Sequence, residues 1–234
     1  MSGERKILLW DLPLRIFHWM LVVSVVGSII TAQIGGNLMD WHSRFGLLIL
    51  GLLVFRLVWG FVGSTYSRFA QFAPTPTRII AYWRGNLHVV GHNPLGALSV
   101  FAMLLALLLQ ALLGLFSNDD IAFTAPLYEL VDHDWSNWLS GWHHRLANVM
   151  YALLLLHVAA IAYYASIKKK NLLPPMLHGR IEATDETTES KRSGGGWLAL
   201  VIALAIAIAA VYAASGSWIS PPPPTDPSSS MPEW

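Results

Sequence analysis

Long apolar runs separated by polar connections set the pattern of this chain. Five of them are long enough to cross a bilayer, whose roughly 30 Å core needs about 20 residues of helix. They fall near Leu14 to Ile34, His42 to Val62, Pro94 to Phe116, Trp142 to Ile167 and Trp197 to Trp218. Gly35, Gly36 and Asn37 make a short turn between the first two. A longer connection with Pro74, Pro76 and Arg84 follows the second, and Pro94 suits the first turn of the third, where no backbone N–H is needed. Arg5 and Lys6 precede the first run, but it contains His18 and passes directly into another span, so it is expected to remain as a helix rather than to be a cleaved signal peptide. Lys168 to Gly196 is polar, ends in Gly194, Gly195 and Gly196, and reads as a flexible linker. The fifth run is rich in alanine, which lets helices approach closely, and leads to Pro221, Pro222, Pro223 and Pro224, a stiff start to a polar tail. The expected organisation is an all-α membrane protein: a four-helix transmembrane unit in residues 1–170, a cytoplasmic linker in 171–196, an additional transmembrane helix in 197–218 and a proline-rich tail in 219–234.

Composition agrees with a membrane class. Hydrophobic residues are 54% of the 234 and charged residues 12%, and the mean hydropathy is +0.48. A net charge of +1 gives no reason to expect nucleic acid. With no cysteine there is no disulfide, no thiolate-held iron–sulfur cluster and no covalent haem attachment, so any redox cofactor is held non-covalently. The basic residues set the orientation. With the amino terminus inside, the inner segments carry Arg5, Lys6, Arg68, Arg78, Arg84, Lys168, Lys169, Lys170, Arg180, Lys191 and Arg192, and the outer connections carry none. The chain is therefore expected as a multi-pass membrane protein, in contact with lipid, with its amino terminus inside and its carboxyl terminus outside. The outer connection between spans three and four is acidic, with Asp119, Asp120, Glu129, Asp132 and Asp134, and suits a basic protein surface. A merely solvated loop is the plain alternative.

Histidines inside the spans change the picture from structure to chemistry. His143 and His157 share one helix at a spacing of fourteen, which comes within about 40° of whole turns and climbs roughly 21 Å, so one face carries an imidazole near each side of the bilayer. An ionisable group at that depth wants a strong partner such as a metal. His18 lies at the inner end of span one and His42 opens span two on the outside, so the four histidines form two level pairs, His18 with His157 and His42 with His143. Two imidazoles facing across a porphyrin iron at each level give two b-type haems. A single interfacial histidine is more often a headgroup contact; four at matched depths are not. His144 is the alternative to His143, and Trp10, Trp19, Trp41, Trp59, Trp138 and Trp142 read as interfacial belts.

Trp41-His42-Ser43-Arg44-Phe45-Gly46 and Trp142-His143-His144-Arg145-Leu146-Ala147 echo one another, and the echo selects His143. Arg44 and Arg145 are strongly basic residues on a side that otherwise avoids them, and propionates of an outer haem would give them a reason to be there. Two steps along a helix turn about 200°, so this pairing needs interfacial reach. Arg15, three residues before His18, and Arg56, fourteen after His42, fall at the inner level and face an inner haem's propionates, with snorkelling the alternative for Arg56. His88, His92 and Arg84 mark an inner surface where a quinone could bind.

Trp10-Asp11-Leu12-Pro13-Leu14-Arg15-Ile16-Phe17-His18-Trp19, His42 at the start of span two, Leu57-Val58-Trp59-Gly60 at its end, and His143, Ala147-Asn148 and His157 in span four resemble the bacterial cytochrome b561 family, which includes the b-type cytochrome subunits of membrane-bound nickel–iron hydrogenases. The resemblance covers about Ile7 to Lys170. It implies a four-helix di-haem cytochrome b that passes electrons across the membrane between the quinone pool and a periplasmic redox partner, either a c-type cytochrome or a hydrogenase-like oxidoreductase, with His18, His42, His143 and His157 as iron ligands. Span five and the proline tail depart from the four-helix pattern. A quinone-linked superoxide oxidase, as relatives of the family suggest, and a non-redox helical scaffold or metal transporter are the alternatives.

Overall fold

The computed structural model describes residues 6–85, 91, 93–182 and 195–219; His88, His92, Lys191, Arg192 and the tail from Pro221 lie outside the described residues. Strand β1 (Lys6–Leu8) is followed by helices α1 (Leu12–Ile34), α2 (Met39–Val62), α3 (Phe69–Phe72), α4 (Pro76–Trp83), α5 (Pro94–Gly114), α6 (His133–Ser166) and α7 (Leu173–His178), strand β2 (Arg180–Glu182) and helix α8 (Trp197–Ala214). Helices α1, α2, α5, α6 and α8 are long and apolar enough to cross a membrane. Their starts follow ordinary capping chemistry. Asp11 accepts the N–H of Leu14 at 2.8 Å and Asn93 that of Gly96 at 2.7 Å, each ahead of a proline in the first turn. α1 stops at Gly35, whose φ of 70° suits glycine.

α6 departs from its expected start. It has 34 residues and begins nine before Trp142. At 1.5 Å per residue it runs about 50 Å, well past a roughly 30 Å core, so its first turns stand outside the lipid. Asp132 caps this extension by accepting the N–H of Trp135 at 2.8 Å. The polar residues His133, Asp134 and Asn137 hid the helix by diluting its apolar period.

α2 is the central element: α1, α5 and α8 all pack along it, and α6 lies along α5. Leu14 and Phe17 meet Leu52, Phe55, Trp59, Ala203 and Ala207 in one cluster, while Val25, Ile49, Leu53, Ala106, Leu107 and Met150 form another. Lipid tails are as apolar as these side chains, so close fit rather than water exclusion selects the contacts. The alanines of α8 serve that fit, and at Gly51 a Cβ would sit 2.6 Å from Cγ2 of Val211.

The stretch 171–196 is not a linker throughout. Residues 173–182 form α7 and β2, and β2 pairs antiparallel with β1, Ile7 opposite Ile181. Leu9 and Trp10 donate their N–H groups to the Gly179 carbonyl at 2.7 and 3.2 Å, and Trp19 Nε1 donates to Met176 O at 3.2 Å. The compact unit thus extends beyond residue 170, and the chain holds a small sheet as well as helices. Charge masked this segment, although prolines 174 and 175 and Gly179, at φ 79°, bracket a helix in the usual way. These bonds place the segment before the first span and the segment after the fourth at one end of the molecule.

At the other end, the connection before α6 is docked rather than loose. Asn118 Nδ2 donates to Ser136 Oγ at 2.6 Å and Asn137 Oδ1 at 2.9 Å, and Ser136 Oγ donates to Phe116 O at 2.6 Å. Asp119 Oδ1 accepts the backbone N–H groups of Phe123, Ile121 and Ala122 at 2.8 to 2.9 Å. Those bonds hold its carboxyl below the usual value. Asp119 and Asp132 therefore have folding roles, which the view of this loop as free charge did not include.

Candidate functional site

The two histidines expected at the outer level meet. His42, in the first turns of α2, and His143, in α6, face each other with ring centroids 6.0 Å apart and planes at 86°. Each ring is fixed through Nδ1. His42 Nδ1 lies 2.9 Å from Ser28 O and 3.1 Å from Ser28 Oγ, and His143 Nδ1 lies 3.0 Å from Gln110 O. A carbonyl only accepts, so both Nδ1 atoms carry the proton and both Nε2 atoms are left as electron-pair donors. His143 Nε2 has the Gln110 amide nitrogen at 3.3 Å, and Oε1 of the same amide is buried without a partner. Gly114 makes room for the ring, since a Cβ there would stand 2.8 Å from His143 Cε1. Gly46, one turn after His42 on the same face, has no atom within 4 Å of where its Cβ would be. Imidazoles bonded from opposite sides to one metal, at about 2 Å each, hold their ring centroids about 6 Å apart. The donors, their tautomers and the open space fit a bis-imidazole iron.

The arginines expected at this level point elsewhere. Arg44 lies over the Trp41 ring at 4.9 Å and Arg145 over Trp142 at 5.2 Å, both exposed. The 200° turn from each histidine explains it. His144 is turned onto its own helix, with Nδ1 2.8 Å from Ser140 O.

His18 and His157, expected as the inner pair, share no hydrogen bond or ring contact among the described residues. His18 Nδ1 is buried with no partner, as are Arg15 Nε and Arg56 Nη1. Arg15 is steered by the residues after α6, donating from Nη1 to Leu177 O at 2.5 Å. Arg56 is only 3% exposed and stacks 4.5 Å over the Phe69 ring. α1 and α2 run antiparallel through the short turn between them, which puts Arg56 near the depth of His18. Three buried donors without partners at one level fit the anionic edge of a large cofactor.

Asp11 organises this end and was not singled out from the sequence. Besides capping α1, its Oδ2 accepts from Trp59 Nε1 at 3.1 Å, from Ser67 Oγ at 2.7 Å and from Ser64 Oγ. Its charge also acts on Arg56. Asp-x-Pro before an apolar run signals the cap, but Ser64 and Ser67 are more than fifty residues away and no local pattern names them. Ser28, Gln110 and Gly114 were equally silent, because a backbone carbonyl and an empty volume leave no trace in residue identity. No cluster of three or more metal-ligating side chains occurs among the described residues.

Comparison with known proteins gives a consistent relation. The profile of the prokaryotic cytochrome b561 family matches residues 9–179. A probable Ni/Fe-hydrogenase B-type cytochrome subunit of Bradyrhizobium diazoefficiens is 23% identical over 227 residues, covering 79% of this chain and 91% of that protein. The similarly named subunit of Rhizobium leguminosarum is 23% identical, with 75% and 89% covered. A probable Ni/Fe-hydrogenase 1 B-type cytochrome subunit of Escherichia coli K12 is 22% identical, with 64% and 79% covered. No solved structure matches.

Proposed function

Since the chain belongs to the prokaryotic cytochrome b561 family, and so is a multi-pass b-type cytochrome of membrane electron transfer, we propose that it carries two haems and moves electrons across the bilayer between a quinone and an outer redox partner. The observation that carries the reading is the His42–His143 pair, two rings facing at 6.0 Å with their Nδ1 protons committed to carbonyls. Haem b, when bound, supplies a one-electron couple. The protein's part is to hold and insulate it. His42 and His143 present Nε2 lone pairs at one level, His18 and His157 the imidazoles at the other, and the fourteen-residue interval along α6 separates the levels by about 21 Å. Arg15 and Arg56 place positive charge at the inner level for propionates; Arg44 and Arg145 reach the outer ones only by leaving their tryptophans. α1, α2, α5 and α6 form the cofactor-holding unit, and α8 covers the remaining side of α2.

The relatives' names attach those proteins to hydrogenases. For this chain the partner class is a periplasmic oxidoreductase or c-type cytochrome, approaching the docked loop and the α6 extension beside the outer pair. A pyridine haemochrome assay on the purified chain tests the reading: two haems b per polypeptide is the expected result, and one or none removes it. Orientation is tested separately. The chain lacks cysteine, so Ile121→Cys, at a position 91% exposed, should react with a membrane-impermeant thiol reagent in intact cells, and Lys169→Cys should not. The opposite labelling reverses the orientation.

A further inference from the structure

The back of α6 carries an amide that the rest of the chain does not engage. At about 100° per residue, Asn148 stands about 140° around the helix from His143 and about 180° from His157, so it faces away from both rings. It is exposed and has no hydrogen bond to any described residue. Its depth follows from α5. Asn93, which caps α5, donates from Nδ2 to Tyr164 Oη at 2.6 Å, and Gly114, its last residue, lies against the His143 ring. Residues 143–164 of α6 therefore run level with the 21 residues of α5, none of them charged. Asn148 lies inside that interval, about 7.5 Å from its His143 end. Acyl chains at that level offer an amide neither donor nor acceptor.

The face around Asn148 is bare. Ala152, Leu155, Ala159 and Ala162 follow it at alternating steps of four and three, all exposed, Leu155 at 72%. Of the five spanning helices α6 is the least covered. Its neighbours are α5 and, through the bond of 3.1 Å from Gln33 Nε2 to Tyr151 Oη, α1, and neither reaches this side.

We propose that this face is the contact between two copies of the chain, in which Asn148 of one bonds Asn148 of the other. Self-complementarity selects a second copy as the occupant. An amide holds both a donor and an acceptor, so it is satisfied by its own kind, as a carboxylate or an ammonium is not. Chains inserted in the same sense pair about a two-fold axis along the membrane normal, and that axis sets each residue opposite itself at equal depth. Steps of four and three form the seam of two parallel helices, and alanines let the backbones come close enough for two short amides to meet. Arg145, three residues before Asn148, does not set like charges against each other, because its guanidinium lies 5.2 Å over the Trp142 ring, off the seam. The pairing is independent of how many haems the chain holds.

The full-length chain has no cysteine, so single thiols test this directly in native membranes. Under copper–phenanthroline oxidation, Ala152→Cys and Ala159→Cys should each give a disulfide-linked dimer, and Ile208→Cys, 68% exposed on α8, should not. The amide is tested by Förster transfer between labelled chains diluted in liposomes. Asn148→Leu should raise the dimer dissociation constant about tenfold, and Asn148→Gln, which keeps the amide, should restore most of the loss. Both variants should keep the haem content of wild type, since the position faces away from the histidines. Should Asn148→Leu lose haem, the thiol variants, whose amide is intact, decide. No disulfide at Ala152 or Ala159, or one formed equally at Ile208, overturns the pairing. So does an Asn148→Leu dimer as tight as wild type, which would leave this face to lipid or to a helix of another protein.

Discussion

The outer and inner histidine pairs use one residue type and are set apart by the same fourteen-residue interval along α6, yet the fold secures them by different means. The outer rings are fixed by backbone: carbonyls of Ser28 and Gln110 take their Nδ1 protons, and Gly114 leaves the space that His143 fills. The inner level is fixed by side chains: Asp11 gathers Trp59, Ser64 and Ser67, and the Arg56 guanidinium lies buried beside them. A carbonyl bond survives most substitutions, because every residue supplies one. A carboxylate hub does not. The outer pair should therefore tolerate changes around it better than the inner pair, while each pair stays dependent on its own two imidazoles.

The largest effect tests that last clause. On the proposed di-haem reading, His157→Ala would remove one of the two imidazoles that hold the inner haem and leave those proposed for the outer one in place. Haem content should fall by half, with the outer signal retained in reduced-minus-oxidised spectra, and His42→Ala should do the converse. Loss of both signals from either change would mean that the levels fold as one cooperative unit and that the contrast is only one of geometry.

Asp11→Ala is the next strongest. It strips the acceptor from Trp59 Nε1 and from two serines, uncaps α1, and leaves Arg56 without its nearby counter-charge. Leaving the part-buried donors of Trp59 and two serines without their acceptor costs about 1 to 3 kcal/mol each at most. Thermal unfolding in detergent should begin at a markedly lower temperature, with inner haem released before outer. Equal loss of both would show that Asp11 supports the whole bundle rather than one level.

A smaller effect separates both pairs from the fifth spanning helix. At Gly51 α8 packs tightly on α2, since a Cβ there would stand 2.6 Å from Cγ2 of Val211. Gly51→Leu overpacks that contact at a cost of about 1 to 3 kcal/mol. It should loosen α8, seen as faster proteolysis near Gly195, and leave haem content at two. Haem loss would place α8 inside the cofactor unit.

What the sequence disclosed follows the same division. The spans were legible because length, hydropathy and the helical repeat are local properties; the same rules gave the expectation of two histidine levels, and of its four residues the structure brings His42 and His143 into ring contact. Arg44 and Arg145 were placed by motif similarity and lie on tryptophans instead, since the helical turn outweighs adjacency in sequence. The α6 extension and the α7–β2 segment were read as loops because polar residues dilute an apolar period; Asp132 and Gly179, which cap them, were the available signals. The Ser28 and Gln110 carbonyls could not have been named at all, because they belong to the backbone.

The smallest expected effect lies at the outer end, in the loop that leads to the α6 extension. Asp119 has three backbone N–H groups pointed at one carboxylate oxygen, and this holds its pKa below the ordinary carboxyl value. A carboxyl whose folded value is depressed adds stability that is complete above its unfolded value and disappears as pH falls through the folded one. At neutral pH the turn should therefore be fully closed, and between neutrality and the unfolded value nothing should change. Below that value the turn should open progressively. Hydrogen-exchange protection factors for Ile121, Ala122 and Phe123 measure it, being already corrected for the intrinsic pH dependence of exchange. They should fall on acidification in the wild type, and at neutral pH they should already be low in Asp119→Ala. The carboxylate is exposed, so the change should remain local, with the His42–His143 pair and its haem spectrum unmoved over the same range. A simultaneous shift in that spectrum would tie the loop to the outer pair, and would mean that carbonyl anchoring is less independent of its surroundings than the comparison of the two levels holds.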